Sequence, residues 1–201
     1  FYEDVPLLEL SERVLETLGL RWDSVRLIEP ANWKSRELAA LELSAAQVLR
    51  SRFAASPVWA FKNPRTARLL PFWQSVFSRA GCEDSYVLAL RNPLSVAHSL
   101  QRRNRLDPAT SHLLWLLHMT EAVLATNGKR LVCVDYDQLL HDPSHELARL
   151  ANGLDLVLPP PDSPLAKAFV DDFLSREYRG SKFEAADLEL DPDLTSLVVR
   201  A

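Results

Sequence analysis

The chain has 201 residues, of which 47% are hydrophobic and 25% charged, with five glycines and two cysteines. This composition is typical of a folded globular protein and excludes a disordered or disulfide-rich chain. The length predicts a single domain over residues 1–201, or alternatively two small domains. The net charge of −4 speaks against nucleic-acid binding through bulk positive charge. No apolar run approaches the roughly 20 residues of a membrane span. Because neither cysteine has a C-x-x-C or metal-ligand spacing, we expect a soluble protein of the reducing cytoplasm.

Two amphipathic helices are predicted in the first part of the chain. Apolar residues at helical spacing predict the first helix within residues 5–20, where Gly19 supplies a C-terminal stop. The same pattern predicts a second helix over residues 35–53, and Pro57 ends any continuation.

Three short apolar runs follow, and they have the character of parallel strands covered on both faces. They are residues 58–61, 86–90 and 131–134. Helical patterns at 66–80, 93–104 and 108–127 separate them, and further helices are predicted at 143–154 and 164–174. This alternation predicts an α/β fold with an open, mostly parallel sheet.

Each apolar run ends abruptly at polar residues. Ligands of open parallel sheets bind beyond the carboxyl ends of the strands, so these exits are the predicted site. The alternative for any single exit is that it is polar only because it reaches solvent.

The second exit, residues 91–100, has the features of a strand-to-helix joint. Asn92 can cap the helix and Pro93 can occupy its first position. Ser99 would then lie about 9 Å further along the helix, at roughly 1.5 Å per residue. The Arg91 guanidinium and the Ser99 hydroxyl could hold one phosphate between them, whereas Ser95 is expected to be a solvated helix position.

These residues resemble those of a known family. Arg91 with Ser99 eight residues later, directly after an apolar strand, resembles the 3'-phosphate-binding segment of sulfotransferases that use 3'-phosphoadenosine 5'-phosphosulfate (PAPS). Tyr136, within residues 134–143, matches a tyrosine that lies near the adenine in that family. Residues 61–65, which include Lys62, resemble the K-D-P-R element of bacterial members, and residues 178–182 resemble a basic loop that closes over the same phosphate.

The resemblance implies a three-layer α/β/α fold with a mostly parallel central sheet, of the P-loop nucleoside triphosphate hydrolase type. It implies transfer of a sulfuryl group from PAPS to a hydroxyl acceptor, or alternatively an amine, on a small molecule or glycan. The product would be adenosine 3',5'-bisphosphate (PAP), and no metal is required. By position, Arg91, Ser99 and Arg179 would bind the 3'-phosphate, Lys62 would offset charge near the transferring group, and Glu3 would be the catalytic base.

The chain departs from the family pattern at two points. The glycine-containing loop that binds the 5'-phosphosulfate does not occur in it, so either that loop and the strand before it lie upstream of residue 1, as we expect, or the chain is a degenerate member. In addition, Asn63 stands where bacterial relatives usually place aspartate. An amide cannot accept a proton as a carboxylate can, and this favours Glu3 as the base.

Two other functions stay open at this point. One is a P-loop kinase-like phosphotransferase, which would need a lysine-bearing phosphate loop and a carboxylate for magnesium. The other is a non-catalytic relative that keeps the fold as a nucleotide-binding or interaction module. At the residue level, Glu3 could be a surface acid near a helix N-terminus and Lys62 a solvated lysine. The histidines and the tryptophans Trp59, Trp73 and Trp115 are expected mainly to pack, although one tryptophan could line the acceptor pocket. Neither the acceptor nor the oligomeric state follows from the sequence.

Overall fold

The computed structural model describes residues 3–160, 162–170, 174, 183, 187 and 188. In this part the protein is an α/β chain dominated by helices, with one parallel sheet of two strands. The helices are α1 Val5–Thr17, α2 Arg36–Phe53, α3 Thr66–Ala80, α4 Pro93–Asn104, α5 Pro108–Ala125, α6 Tyr136–His141, α7 Pro143–Leu154 and α8 Pro164–Ala168, with a 3₁₀ helix at Pro30–Lys34. The strands are β1 Ser85–Leu90 and β2 Arg130–Asp135.

Contacts divide the chain into two compact units. Unit 1 consists of Phe1–Asp84 and Leu117–Asn127, and unit 2 of Ser85–Leu116 and Gly128–Ala201. Helix α5 therefore contributes its first half to unit 2 and its second half to unit 1. The single domain expected over residues 1–201 stays a prediction.

Unit 1 is a helical unit built on α1, α2 and α3. The Asp4 and Ser35 side chains accept hydrogen bonds from the first turns of α1 and α2, and Gly81 ends α3 in the left-handed conformation that favours glycine. Apolar residues of the three helices pack into one core around the fully buried Trp73. The predicted helices at 5–20, 35–53 and 66–80 are thereby confirmed.

The strand predicted at residues 58–61 is wrong, because the structure has no strand there. Trp59 stacks on Phe53 with ring centroids 4.4 Å apart, and Phe61 lies 5.0 Å from the Trp73 ring. Val58 and Ala60, which alternate with these two rings in sequence, are exposed. The run is apolar because alternate side chains complete the aromatic core of unit 1, and no neighbouring strand pairs with its backbone.

Unit 2 contains the sheet. Strands β1 and β2 are parallel, in register from Ser85 opposite Arg130 to Leu90 opposite Asp135. Helix α7 lies close against β2: a Cβ added at Gly153 would come within 2.5 Å of Val132 Cγ2. The predicted strands at 86–90 and 131–134 and the predicted α/β class are confirmed.

The other predicted helices either match the structure or differ from it at their C-terminal ends. Helices α4 and α7 have the predicted bounds, and α5 ends at Ala125, two residues early, before Gly128 in the left-handed conformation. The helix predicted at 164–174 begins as α8 and continues as a π-helical turn at residues 169–170, and residues 171–173 lie outside the described residues. The prediction did not include α6. Within the part of the chain that the structure describes, no helix is both long enough and apolar enough to cross a membrane.

Candidate functional site

The strand exits of unit 2 bring two of the predicted site residues together. Because Leu90 pairs with Asp135, the residues that follow, Arg91 and Tyr136, leave the sheet at the same edge. The guanidinium carbon of Arg91 lies 4.8 Å from the centroid of the Tyr136 ring. A guanidinium over an aromatic face is attracted by the ring quadrupole, so Tyr136 restricts the directions in which Arg91 can point.

The start of α4 has the predicted construction. The Asn92 Oδ1 atom accepts the backbone N–H of Leu94 at 2.9 Å, and Pro93 is the first helical residue. Ser99 is exposed further along the helix, and among the described residues its hydroxyl has no hydrogen-bond partner. It is therefore accessible to a ligand.

Ser95 is not the solvated residue that the sequence pattern predicted, because its side chain is fully buried. The first turn of α4 as a whole is buried, including Pro93 and Leu94. The helix enters the interior of unit 2 at its N-terminus and reaches solvent further along. Ser99 and Ser95 share a helix face but differ in depth, and only Ser99 can contact a ligand from solvent.

Trp115 contacts the same exit from α5. Its indole Nε1–H donates to the carbonyl oxygen of Arg91 at 3.0 Å, and the ring is half-buried. Sequence reasoning treated this residue as core or acceptor pocket and missed the contact. The 3.6-residue period of apolar positions predicts which face of a helix is buried. It does not predict which backbone carbonyl that face contacts.

One residue from the C-terminal part of the chain also reaches α4. Asn92 Nδ2 donates to the carbonyl oxygen of Phe183 at 3.2 Å, and the Phe183 ring stands edge-on to His98 with centroids 6.4 Å apart. Arg179, the remaining predicted phosphate ligand, and the rest of residues 178–182 lie outside the described residues.

In unit 1 the structure brings together the two residues predicted to be catalytic. Lys62 Nζ donates to Glu3 Oε1 at 2.8 Å although the residues are 59 apart in sequence. The Glu3 side chain is 15% exposed and the Lys62 side chain 67%. The carboxylate is thus largely enclosed while most of the lysine stays in solvent.

Asn63, next to Lys62, serves the local backbone. Its Oδ1 atom accepts the N–H of Arg65 at 3.0 Å, and its carbonyl accepts the N–H of Thr66 at 3.0 Å. The residue is buried at the start of α3. The amide therefore forms the turn that begins the helix, a role to which asparagine is well suited.

Two carboxyl groups in unit 2 have lowered pKa values. Hydrogen bonds from Thr110 hold the pKa of Asp107 below its usual value at the start of α5. A hydrogen bond from Arg149 similarly lowers the pKa of Glu146 in α7. Within the described residues, no group of three or more His, Cys, Asp or Glu side chains is arranged to hold a metal ion.

Comparison with protein-family profiles, with curated proteins and with solved structures finds no match to this chain. The resemblance to sulfotransferases therefore stays a prediction carried by the motifs and by the contacts described above.

Proposed function

We propose that the protein is a PAPS-dependent sulfotransferase. The observation that carries the proposal is the Arg91 guanidinium over Tyr136 at the carboxyl ends of two parallel strands. This is the edge of a parallel sheet at which phosphorylated ligands bind, and an arginine is the side chain best suited to grip a phosphate. In the proposed fold, β1 and β2 belong to the central sheet of a three-layer α/β/α protein of the P-loop type.

The proposed nucleotide contacts follow from the chemistry of the side chains in unit 2. Arg91 offers a planar fork of N–H donors to the 3'-phosphate, and the exposed Ser99 hydroxyl on α4 offers one more donor. Tyr136 presents an aromatic ring to the adenine. Both cysteines are free in the structure, which is in keeping with a cytoplasmic enzyme.

The proposed catalytic residues are those of the ion pair in unit 1. Glu3 would take the proton from the acceptor hydroxyl while the acceptor oxygen forms a bond to sulfur. The bond from sulfur to the 5'-phosphate oxygen breaks in the same step, and PAP leaves with that electron pair. Lys62 would offset the negative charge that develops on the transferring group. The acceptor is a small molecule or a glycan with a free hydroxyl, and the step needs no metal.

Calorimetric titration of PAP into the full chain tests the nucleotide site. Arg91→Ala should weaken PAP binding about ten- to hundred-fold, because a charged hydrogen bond is worth about 1.5 to 3 kcal/mol. The control is Arg130→Ala, which removes an exposed arginine at the opposite end of β2 and should change the affinity less than about two-fold. Absence of PAP binding would refute the proposal, and binding of ATP with magnesium in its place would favour the kinase alternative.

A transfer assay from PAPS to a panel of hydroxyl acceptors tests the catalytic pair. Glu3→Gln keeps the size of the side chain and removes the base, so it should lower kcat about 100-fold or more while PAP affinity is retained. Lys62→Met should also lower kcat. Tight PAP binding with no transfer to any acceptor would identify the non-catalytic relative instead.

A further inference from the structure

The half-buried Trp115 of α5 contacts the backbone of Arg91 through its indole N–H. Strand β1 ends at Leu90, so the carbonyl of Arg91 lies beyond the ladder that pairs β1 with β2. The indole Nε1–H of Trp115 donates to that carbonyl at 3.0 Å. Backbone carbonyls that leave a sheet need a partner when water cannot reach them freely, and an indole has only this one donor to give.

Arg91 is thereby held at both of its ends. Trp115 fixes the backbone from α5, and the Tyr136 ring lies 4.8 Å from the guanidinium carbon. A long arginine side chain loses much rotamer freedom when it binds a ligand. If the backbone and the guanidinium are already fixed, less of that freedom remains to be lost, and the affinity for the ligand rises accordingly.

We infer that Trp115 is a positioning residue for the nucleotide site, acting through its hydrogen bond to the Arg91 carbonyl on the orientation of the guanidinium toward the 3'-phosphate. The inference rests on the proposed function. Trp115 itself need not touch the nucleotide. A tryptophan that only filled space would affect the stability of unit 2 as a whole. Its substitution would then change the binding of ligands with and without a 3'-phosphate equally.

The experiment measures the affinity of the variants for two ligands and includes a double-mutant cycle with Arg91→Ala. Trp115→Phe removes the indole N–H and keeps an aromatic ring. It should weaken PAP binding about three- to ten-fold, the usual value of one neutral hydrogen bond, and leave the binding of adenosine 5'-phosphate, which lacks the 3'-phosphate, unchanged. In an Arg91→Ala background the same substitution should cause no further loss of PAP affinity. Trp59→Phe, in the aromatic core of unit 1, is the matched control and should leave PAP affinity unchanged.

The outcomes separate this inference from the proposed function. If the parent chain binds PAP and loses affinity with Arg91→Ala, but Trp115→Phe has no effect, the function stands and the positioning role is overturned. A loss that is equal for both ligands, or that persists in the Arg91→Ala background, also overturns it, because the indole then acts only through packing. If the parent does not bind PAP at all, both proposals are refuted.

A second measurement serves if Trp115→Phe fails to fold. In the unaltered protein, the indole N–H resonance of Trp115 reports directly on its hydrogen bond to Arg91. Addition of PAP should shift this resonance as the arginine engages the 3'-phosphate, and adenosine 5'-phosphate should not. Equal shifts with the two ligands, or none with bound PAP, would overturn the inference.

Discussion

At the scale of single residues, α3 carries two arginines with ion pairs of equal length but different burial. Arg68 Nε lies 2.9 Å from Glu121 Oε2, and Arg79 Nε lies 2.9 Å from Glu42 Oε2. The Arg68 side chain is 2% exposed and the Arg79 side chain 44%. Arg68 also donates to the carbonyl oxygens of Ser24 and Arg26 at 2.5 and 2.6 Å. The buried arginine thus satisfies three separate groups, whereas nearly half of the Arg79 side chain lies in solvent.

This difference predicts unequal costs for the same substitution. Arg68→Met should lower the free energy of unfolding by about 3 kcal/mol or more, because it leaves a carboxylate and two carbonyls without their donor. Arg79→Met should cost less than about 1 kcal/mol, as usual for exposed pairs. Urea unfolding of both variants at pH 7 measures the two values. Similar losses in the two variants would contradict the argument that burial decides the cost.

At the scale of elements, an ion pair within α7 connects that helix to the sheet. Arg149 Nη2 donates to Glu146 Oε2 at 2.6 Å and to the carbonyl oxygen of Cys133, in β2, at 2.5 Å. Glu146 is buried. The hydrogen bond from Arg149 lowers the pKa of Glu146 below its usual value, and the same bond raises the pKa of Arg149. The ionised carboxylate is therefore the form that holds Arg149 in place against β2.

The lowered pKa predicts the direction of a pH dependence. A carboxyl group with a lower pKa in the folded than in the unfolded chain adds stability above its unfolded pKa of about 4.3, and this stability is lost as the pH falls through the folded pKa. Glu146→Gln should accordingly be less stable than the parent at pH 7, and the difference should shrink as the pH falls below about 4. Urea midpoints from pH 7 to pH 3 measure it.

The control for this series is Glu16→Gln, which removes an exposed carboxylate from the last part of α1. It should unfold with midpoints close to those of the parent across the same range. A constant difference between Glu146→Gln and the parent at every pH would show that the substitution acts through packing and not through ionisation.

The elements whose ends are set by local chemistry could be predicted from the sequence. Asn92 with Pro93 defines the start of α4, and Gly81 defines the end of α3, because caps and left-handed residues depend on near neighbours alone. The run at residues 58–61 could not be assigned correctly in this way. Its apolar pattern is the same whether the side chains face a sheet or an aromatic core, and only the presence of a paired strand decides between them.

The candidate site was predictable to a similar degree. Arg91, Ser99 and Tyr136 follow strands or lie on the next helix, so the topology of a parallel sheet places them at one edge. The ion pair of Glu3 with Lys62 was not predicted: the family resemblance gave each residue a catalytic role, but nothing local connects residues 59 apart. The hydrogen bond of Trp115 could not be predicted at all, since it joins a helix face to a single backbone oxygen.

At the scale of the whole molecule, the two units differ in the core that the structure describes. Unit 1 surrounds the fully buried Trp73 and Phe72 with apolar residues from three helices. In the described part of unit 2 the sheet has two strands, on which Val87 is 48% exposed. Sheets with so few strands depend on the helices packed against them, and regions with fewer buried apolar contacts open more readily.

This difference predicts that the units exchange their amide hydrogens at different rates. The amides of α2 and α3, which open only when the aromatic core of unit 1 is disrupted, should exchange about ten-fold or more slowly than those of β1 and β2, a difference of about 1.4 kcal/mol in opening free energy. Hydrogen exchange followed by mass spectrometry at neutral pH, with peptides that separate α3 from β1, measures both sets in one sample. Equal protection in the two sets would contradict the prediction, because the chain would then open as one cooperative domain, as its length alone suggests.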